Sequence, residues 1–368
     1  MNAFMIGDLK VKLPIIQGGM GVAISLSGLA SAVANEGGVG MISAAGIGMR
    51  EPDYIKNFRE ANKRALRKEI QKAKSLSQGV IGVNIMMALT DHEELIKVAI
   101  EENADIIVMG AGLPLKIPGM LIEAGFANYH TKLAVKVSSA KAAKLIFQYW
   151  AGKYNIIPDA VVVEGPLAGG HLGFKKEELT KTPVPLKKLI EETVIAVRSF
   201  EEQFNKEVPV IAAGGIYTGK DIYDIMQAGA KAVKLGSRFV TTYECDASMG
   251  FKETYLNCKQ EDITIIDSPV GLPGRVIKNA FVEQIQAGKT KPFKCVWHCL
   301  SSCNFREAPY CIAQVLFNSA SGRMDEGFAF SGTNGYLATK IQHVSEVMDE
   351  LLEEYKLEAL KNVELILL

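Results

Sequence analysis

The chain has 368 residues, of which 48% are hydrophobic and 22% charged, enough for one large enzyme domain or two smaller ones. Lysine plus arginine equals aspartate plus glutamate at 41 each, and this neutral balance argues against nucleic acid or an anionic membrane as the main partner. The amino terminus lacks a signal-peptide pattern, and we find no apolar run long enough to span a membrane. We therefore expect a cytoplasmic protein with a small-molecule substrate, and a homodimer is left open.

Short β-branched or apolar runs alternate with longer amphipathic stretches along most of the chain. Within each unit the hydrophobic period changes from strand-like to helical, which predicts a strand followed by a helix. The eight predicted strands are Pro14–Gln17, Gly38–Ser43, Val80–Asn84, Asp105–Met109, Leu133–Val137, Ala160–Glu164, Val208–Ala212 and Ala232–Leu235. The helices predicted between them include Leu26–Asn35, Asp91–Asn103, Ala140–Trp150, Lys187–Phe204 and Gly219–Ala228. A charged helix within Arg50–Gln78 is expected to be an addition packed outside the sheet.

Eight strand–helix units predict an α/β protein whose parallel sheet closes into a (β/α)8 TIM barrel. We assign residues 1–252 to this barrel, as the domain that carries the binding site. After Lys252 the alternation stops, and residues 253–335 are predicted to form a mostly helical, partly irregular segment that covers the carboxyl face. Residues 336–368 are predicted to close the chain with an amphipathic helix over Ser345–Leu360.

The strongest candidate for catalysis follows the sixth predicted strand. A loop with glycines at Gly169, Gly170 and Gly173 comes directly after it and carries a single histidine, His171. Glycine has no Cβ and lets the backbone approach a flat ligand closely, and barrel enzymes place reactive side chains at such strand ends. Taken alone, the motif also fits a turn with a solvated histidine.

Two consecutive strand ends have the composition of a phosphate site. The seventh strand runs into Gly214 and Gly215, and the eighth into Gly236 and Ser237. In TIM barrels the loops after these strands commonly bind phosphate through backbone N–H groups. Either motif alone fits a tight turn, but the pair predicts a phosphorylated cofactor or substrate. No Walker motif or Gly-x-Gly-x-x-Gly fingerprint is present, which disfavours a Rossmann-type nucleotide site.

With these motifs, the chain resembles the flavin-dependent nitronate monooxygenases, formerly 2-nitropropane dioxygenases, a family that includes flavin-type enoyl-acyl-carrier-protein reductases. The resemblance extends in order over residues 14–240 and again at residues 331–335. The matching segments are Pro14–Met20, Gly82–Met86, Gly110–Gly112, Glu164 with Ala168–Gly173, Ala213–Ile216, Gly236–Phe239 and Ser331–Gly335. The resemblance implies FMN lying across the carboxyl face of a TIM barrel.

The resemblance also implies a role for each candidate residue. His171 would transfer a proton beside the flavin, since imidazole titrates near neutral pH. Lys136 would stabilise a reduced, anionic flavin, while Asn84 and Glu164 would meet the ring edge or ribityl chain. The implied cofactor-binding residues are Gly18, Gly19, Met20, Asn84, Lys136, Glu164, Gly170, Gly214, Gly215, Gly236, Ser237, Ser331 and Gly332.

Six cysteines all lie after residue 244, and four of them are clustered: Cys295, Cys299, Cys303 and Cys311. If the segment is helical, the first three share one face. Four thiolates could hold an iron–sulfur cluster or zinc. Because the spacing is not the usual Cys-x2-Cys of either site, reduced and partly buried thiols are the preferred interpretation, and no metal is assigned.

The function predicted from these features is oxidation of alkyl nitronates with O₂ by an FMN-dependent oxidoreductase. Two alternatives use NAD(P)H as co-substrate: an enoyl-thioester (enoyl-ACP) reductase and a general NAD(P)H:acceptor flavin reductase. A carrier protein is expected to meet a basic rim, and this neutral chain offers no obvious one. An alternative of another class is a non-catalytic binder of a phosphate ligand, against which His171 in its glycine loop argues.

Overall fold

The computed structural model describes residues 1–126, 128–181 and 183–366. A closed parallel barrel forms its centre, in the order β10-β11-β3-β4-β5-β6-β7-β8, and confirms the predicted TIM barrel. The strands in chain order are β1 (Phe4–Ile6), β2 (Leu9–Val11), β3 (Ile15–Gln17), β4 (Val39–Ser43), β5 (Val80–Met86), β6 (Ile106–Gly110), β7 (Lys132–Val137), β8 (Ala160–Glu164), β9 (Gly170–His171), β10 (Val210–Ala213), β11 (Ala232–Leu235), β12 (Ile263–Asp267) and β13 (Pro273–Ile277). All eight predicted strands are present.

Helices surround the barrel, and no helix in the described part of the chain is long and apolar enough to cross a bilayer. They are α1 (Ser27–Asn35), α2 (Phe58–Leu76), α3 (His92–Glu101), α4 (Ile117–Glu123), α5 (Ala140–Tyr154), α6 (Lys176–Thr180), α7 (Leu186–Phe204), α8 (Gly219–Gln227), α9 (Ser237–Val240), α10 (Met249–Leu256), α11 (Ala280–Gln286), α12 (Ile312–Ala320) and α13 (Val344–Ile366). The charged helix α2 joins β4 to β5, so it is the regular helix of the second unit and the prediction of an addition was wrong. Its buried side chains, among them Leu66 and Ile70, form a narrow stripe on a mostly polar helix, which hid this role.

Two hydrophobic layers form the core, because residues of the barrel strands are buried on both faces. Side chains that point inward, such as Ile16, Val108 and Val162, fill the barrel interior, while their neighbours pack against the helices. The β1–β2 hairpin adds Phe4 and Ile6 to the interior cluster. These residues close the amino end of the barrel, which leaves the carboxyl end for ligands.

The segment over the carboxyl face contains less helix than predicted. β12 pairs with β13 in an antiparallel hairpin, and β13 also pairs with β9, which carries His171. The hairpin was missed because β12 and β13 lie outside the strand–helix alternation, and because the second partner of β13 is the two-residue strand β9, about a hundred residues earlier. The division of the chain at residues 252 and 335 stays a prediction.

The predicted carboxyl-terminal helix is present as α13, while residues 367 and 368 of the predicted closing segment lie outside the described residues. This helix packs on α8, where the Gly219 N–H donates to Glu354 Oε2 at 2.6 Å. A Cβ at Gly219 would collide with the Leu351 carbonyl oxygen, so glycine is what permits the close packing. Glu350 on the same helix pairs with Arg238, one residue after Ser237.

Candidate active site

A cavity of about 260 Å³ lies at the carboxyl end of the barrel. Its lining includes His171 and every residue that the sequence predicted to bind the cofactor. The structure therefore brings these side chains and glycine turns together around one cavity, although their individual roles stay predictions. They are contributed by the ends of β3, β5, β7, β8, β10 and β11, by β9, and by the loop at Ser331 and Gly332.

Glycines make the cavity floor flat where neighbouring strands end. A Cβ at Gly19 would collide with the Asn84 side chain. At Gly18 the N–H donates to the Leu235 carbonyl at 2.7 Å, and a Cβ there would lie 3.1 Å from the Gly236 Cα. The close approach of the end of β3 to the end of β11 and to the Asn84 side chain on β5 thus requires residues without side chains, which leaves backbone exposed to a planar ligand.

The two predicted phosphate turns follow neighbouring strands, and one loop, at Gly332–Asn334, is hydrogen-bonded to both of them. Gly214 and Gly215 both have positive φ, at 97° and 79°, a conformation that favours glycine. The Gly332 N–H donates to the Ser237 hydroxyl at 2.9 Å, and Asn334 Nδ2 donates to the Gly215 carbonyl at 2.8 Å. The loop around Gly332 therefore ties the turn after β10 to the turn after β11.

Two lysines and one carboxylate lie on the cavity wall. Lys136 Nζ is 2.7 and 2.8 Å from the two carboxylate oxygens of Glu164, and the absence of a side chain at Gly110 makes room for it. Lys234 is buried on β11 and donates to Asn84 Oδ1 at 3.0 Å. Burial, and then the charge of Lys136, lower the pKa of Lys234 to about 7, while Glu164 opposes the shift.

Sequence reasoning missed Lys234. A lysine within a four-residue strand whose other residues are all apolar was the available signal, because lysine is almost never fully buried without a partner. Once the barrel closes, that position points to the cavity, and the strand end gains a cation next to Lys136.

His171 is half-buried and held from two sides. Its Nε2 atom is 2.7 Å from the Ser268 hydroxyl, and its ring meets that of Phe330 edge to face with centroids 4.8 Å apart. Burial first, and then the charge of Lys136, lower the pKa of His171 to about 4. The imidazole is therefore neutral at pH 7 and able to accept a proton.

Arg275 supports the glycine loop from below and was also missed. It is buried on β13, and its Nη1 donates to the carbonyl oxygens of Pro166, at 2.8 Å, and Ala168. Burial lowers its pKa to about 10. Because its acceptors are main-chain atoms more than a hundred residues earlier, nothing in the local sequence marked this arginine.

The covering segment and the loop after β5 provide an apolar wall. Aliphatic and aromatic side chains face the cavity here, opposite the charged groups at the strand ends. They are Leu89, Val270, Leu300, Ile312, Ala313, Leu316 and Phe330. The cavity is thus polar at the barrel and apolar at the cover, as small-molecule sites commonly are.

Comparison with known proteins agrees with this arrangement. The family model described as nitronate monooxygenase matches residues 2–354. The chain therefore belongs to the nitronate monooxygenase family and is a flavin-dependent oxidoreductase.

Individual relatives are similar over most of the chain. A probable nitronate monooxygenase from Staphylococcus haemolyticus is 27% identical over 95% of this chain and 96% of its own length. A (3aS,4S,5R,7aS)-5-hydroxy-7a-methyl-1-oxo-octahydro-1H-indene-4-carboxyl-CoA dehydrogenase from Mycobacterium tuberculosis is 26% identical over 76% of this chain and 67% of its own. Among solved structures, FabK from Thermotoga maritima is 27% identical with a TM-score of 0.73, covering 96% of both chains.

Proposed function

We propose that the chain is an FMN-dependent oxidoreductase that oxidises alkyl nitronates with O₂, with His171 transferring a proton. The observation that carries the proposal is one cavity in which a neutral imidazole and two lysines face the same glycine-lined floor. A bound flavin supplies the two-electron oxidation and the reaction with O₂. The chain's own residues supply binding, orientation and proton transfer.

The residues present fit FMN. Gly214, Gly215, Gly236 and Ser237 would hold its phosphate, because the turns expose backbone N–H groups at adjacent strand ends. The floor at Gly19 has no room for a side chain and accommodates a planar ring. The hydrogen bonds of Gly332 to Ser237 and of Asn334 to Gly215 would hold both phosphate turns in place in the absence of the cofactor.

The charges favour an anionic substrate. With Lys234 protonated, the wall has two ammonium groups against one carboxylate, and a nitronate carries one negative charge. An anion beside Lys234 stabilises the protonated form of this lysine and raises its pKa above about 7. Binding of the anion and protonation of Lys234 therefore favour each other.

The proton step follows from the state of His171. Since its pKa is lowered to about 4, the ring is unprotonated at neutral pH and is available to accept the α-proton of a neutral nitroalkane, which forms the nitronate in the cavity. The negative charge that develops on the substrate raises the pKa of the ring during this transfer. The ring packs against Phe330 and its Nε2 atom is hydrogen-bonded to Ser268, and these two contacts restrict its orientation for this transfer.

Anaerobic reduction of the flavin tests the proposal. Purified holoprotein is mixed with an alkyl nitronate, NADH or NADPH, and the visible flavin absorbance is followed by stopped flow. We expect bleaching by the nitronate, and nitrite with a carbonyl product once O₂ is admitted. Rapid bleaching by a nicotinamide with none by the nitronate would contradict a monooxygenase.

The apolar wall favours a second candidate, an NAD(P)H-dependent enoyl-thioester reductase. Leu300, Ile312 and Leu316 offer a surface suited to an alkyl chain, and a relative is named for action on a carboxyl-CoA. Reduced flavin that is reoxidised by an enoyl-CoA would support this candidate. Reoxidation by quinones but by no enoyl-CoA would instead indicate a general NAD(P)H:acceptor reductase.

A further inference from the structure

Four cysteines meet beside the active-site cavity in a segment without helix or strand. Cys295, Cys299, Cys303 and Cys311 line a small pocket of about 20 Å³ together with His298. The helical spacing considered from the sequence does not apply, because the backbone from residue 287 to residue 311 is irregular. The four thiols are brought together by folding of the loop, and all four are free.

Hydrogen bonds fix this loop at its ends and at its middle. The Lys291 N–H donates to the Pro309 carbonyl at 2.7 Å, which brings the two ends of the loop together. In the middle, the Thr90 N–H donates to the Cys299 carbonyl at 3.1 Å, and the Ser301 N–H donates to the Ala88 carbonyl at 2.9 Å. Long irregular segments are uncommon in compact domains unless they serve a function.

We propose that Cys295, Cys299, Cys303 and Cys311 bind a thiophilic metal centre through four thiolates, either zinc or an iron–sulfur cluster. Both centres take a complete set of four cysteine ligands. The proposal stands independently of the reaction that the flavin performs.

The charge of the segment fits such a centre. Four thiolates around a divalent ion leave two negative charges. Residues 289–311 contain the basic residues Lys289, Lys291, Lys294 and Arg306 and the single acidic residue Glu307, in a chain that is neutral overall. This local positive excess offsets the negative charge of the complex.

Metal binding would tighten the loop. Within residues 1–126, 128–181 and 183–366, no three His, Cys, Asp or Glu side chains are placed to share one metal ion. The thiols therefore have to move inward, by rotation of the side chains and by shifts of the irregular backbone on either side of the fixed residues Cys299 and Ser301. In such sites the binding free energy also orders the polypeptide around the metal.

The centre would form part of the active-site wall. Cys299, Leu300 and Ile312 line both the cysteine pocket and the large cavity. Ordering the loop would thus set the position of the apolar wall against which a substrate packs.

Elemental analysis of protein purified without oxygen tests the proposal. We expect either zinc without sulfide, which identifies a zinc site, or iron with acid-labile sulfide, which identifies a cluster. The Cys303→Ser and Cys311→Ser variants should lose the metal, while Cys258→Ser, outside the pocket, should keep it. Flavin content and thermal unfolding of each variant report whether it has folded.

The native chain provides a second measurement that needs no variant. Thiols are counted by a disulfide reagent before and after treatment with a strong chelator, and four additional thiols should become reactive. Absence of stoichiometric zinc or iron, both as purified and after reconstitution, would overturn the proposal. Equal metal content in Cys303→Ser, Cys311→Ser and the unsubstituted chain would do so as well.

Discussion

The Nε2 atom of His171 and the hydroxyl of Ser268 are 2.7 Å apart, and this contact joins the glycine loop after β8 to the turn of the β12–β13 hairpin. The hairpin also pairs with β9 through Gly274 and Arg275. The histidine is therefore positioned by a part of the chain that is not in the barrel, and the barrel and the covering segment together set the geometry of the cavity.

Replacing His171 tests its role as a proton acceptor. We expect His171→Ala to lower turnover by about 10²–10⁴ while flavin stays bound, because general base catalysis contributes that much. Turnover of a neutral nitroalkane and flavin content by absorbance are the measurements. Loss of the flavin in step with turnover would instead give the residue a structural role.

His171 should also make the fold weaker in acid. Its folded pKa of about 4 lies below the ordinary histidine value of 6.5, so between these limits the unfolded chain binds more protons and stability falls as pH falls. The free energy of unfolding, measured by denaturant titration from pH 7 to pH 4, should decrease less in His171→Gln than in the unsubstituted chain. Equal slopes would contradict a half-buried imidazole that stays neutral in the folded chain.

We expect Ser268 to position the His171 ring through their hydrogen bond. Ser268→Ala removes a hydrogen bond worth about 1 kcal/mol, so kcat should fall by about 3- to 10-fold, and the acid limb of the pH profile should shift. Ser268→Thr keeps the hydroxyl and should restore both. A change in KM alone, with an unaltered pH profile, would argue that the serine only shapes the pocket.

We expect the buried Lys234 to lower the stability of the folded chain and to strengthen the binding of an anionic substrate. Because burial lowers its pKa to about 7 from 10.5, the folded chain loses stability as pH falls from 10.5 towards 7, where the unfolded chain binds more protons. Lys234→Met should unfold at higher temperature near pH 7 in flavin-free protein, yet show a higher KM for nitronates. Unchanged KM in Lys234→Met, with Lys234→Arg as the charged control, would remove this lysine from substrate binding.

Gly19→Ala should remove the flavin. The new Cβ collides with the Asn84 side chain, so either the β3 end or Asn84 must move into the floor of the cavity. Flavin-to-protein ratio after purification is the readout. Gly152→Ala is the matched control, because it lies on α5 with nothing within 4 Å of its Cβ position and should leave the ratio unchanged.

Much of the barrel and of the cavity lining could be predicted from sequence, because both depend on local signals. The strand Ala160–Glu164 is a run of apolar residues ending in a glutamate, and Gly214 and Gly215 follow their strand directly. Closing a barrel brings all such strand ends to one face. Local motifs were therefore sufficient to predict which residues line the cavity at the carboxyl end of the barrel.

The residues that were missed act across long distances in sequence. Ser268 contacts a histidine 97 residues earlier, and Arg275 donates to a carbonyl 109 residues earlier. Neither lies in a repeated pattern, and the hairpin that carries them pairs with the two-residue strand β9, which is far away in sequence. Polar contacts of this kind become visible once the cover is folded onto the barrel.

The ion pair between Arg238 and Glu350 and the hydrogen bond from Gly219 to Glu354 hold α13 against the elements that follow β10 and β11. The carboxyl-terminal helix thus supports the two turns that we propose to hold the cofactor, while none of its described residues lines the cavity. We expect truncations or bulky fusions at α13 to weaken cofactor binding under conditions in which the barrel is still folded.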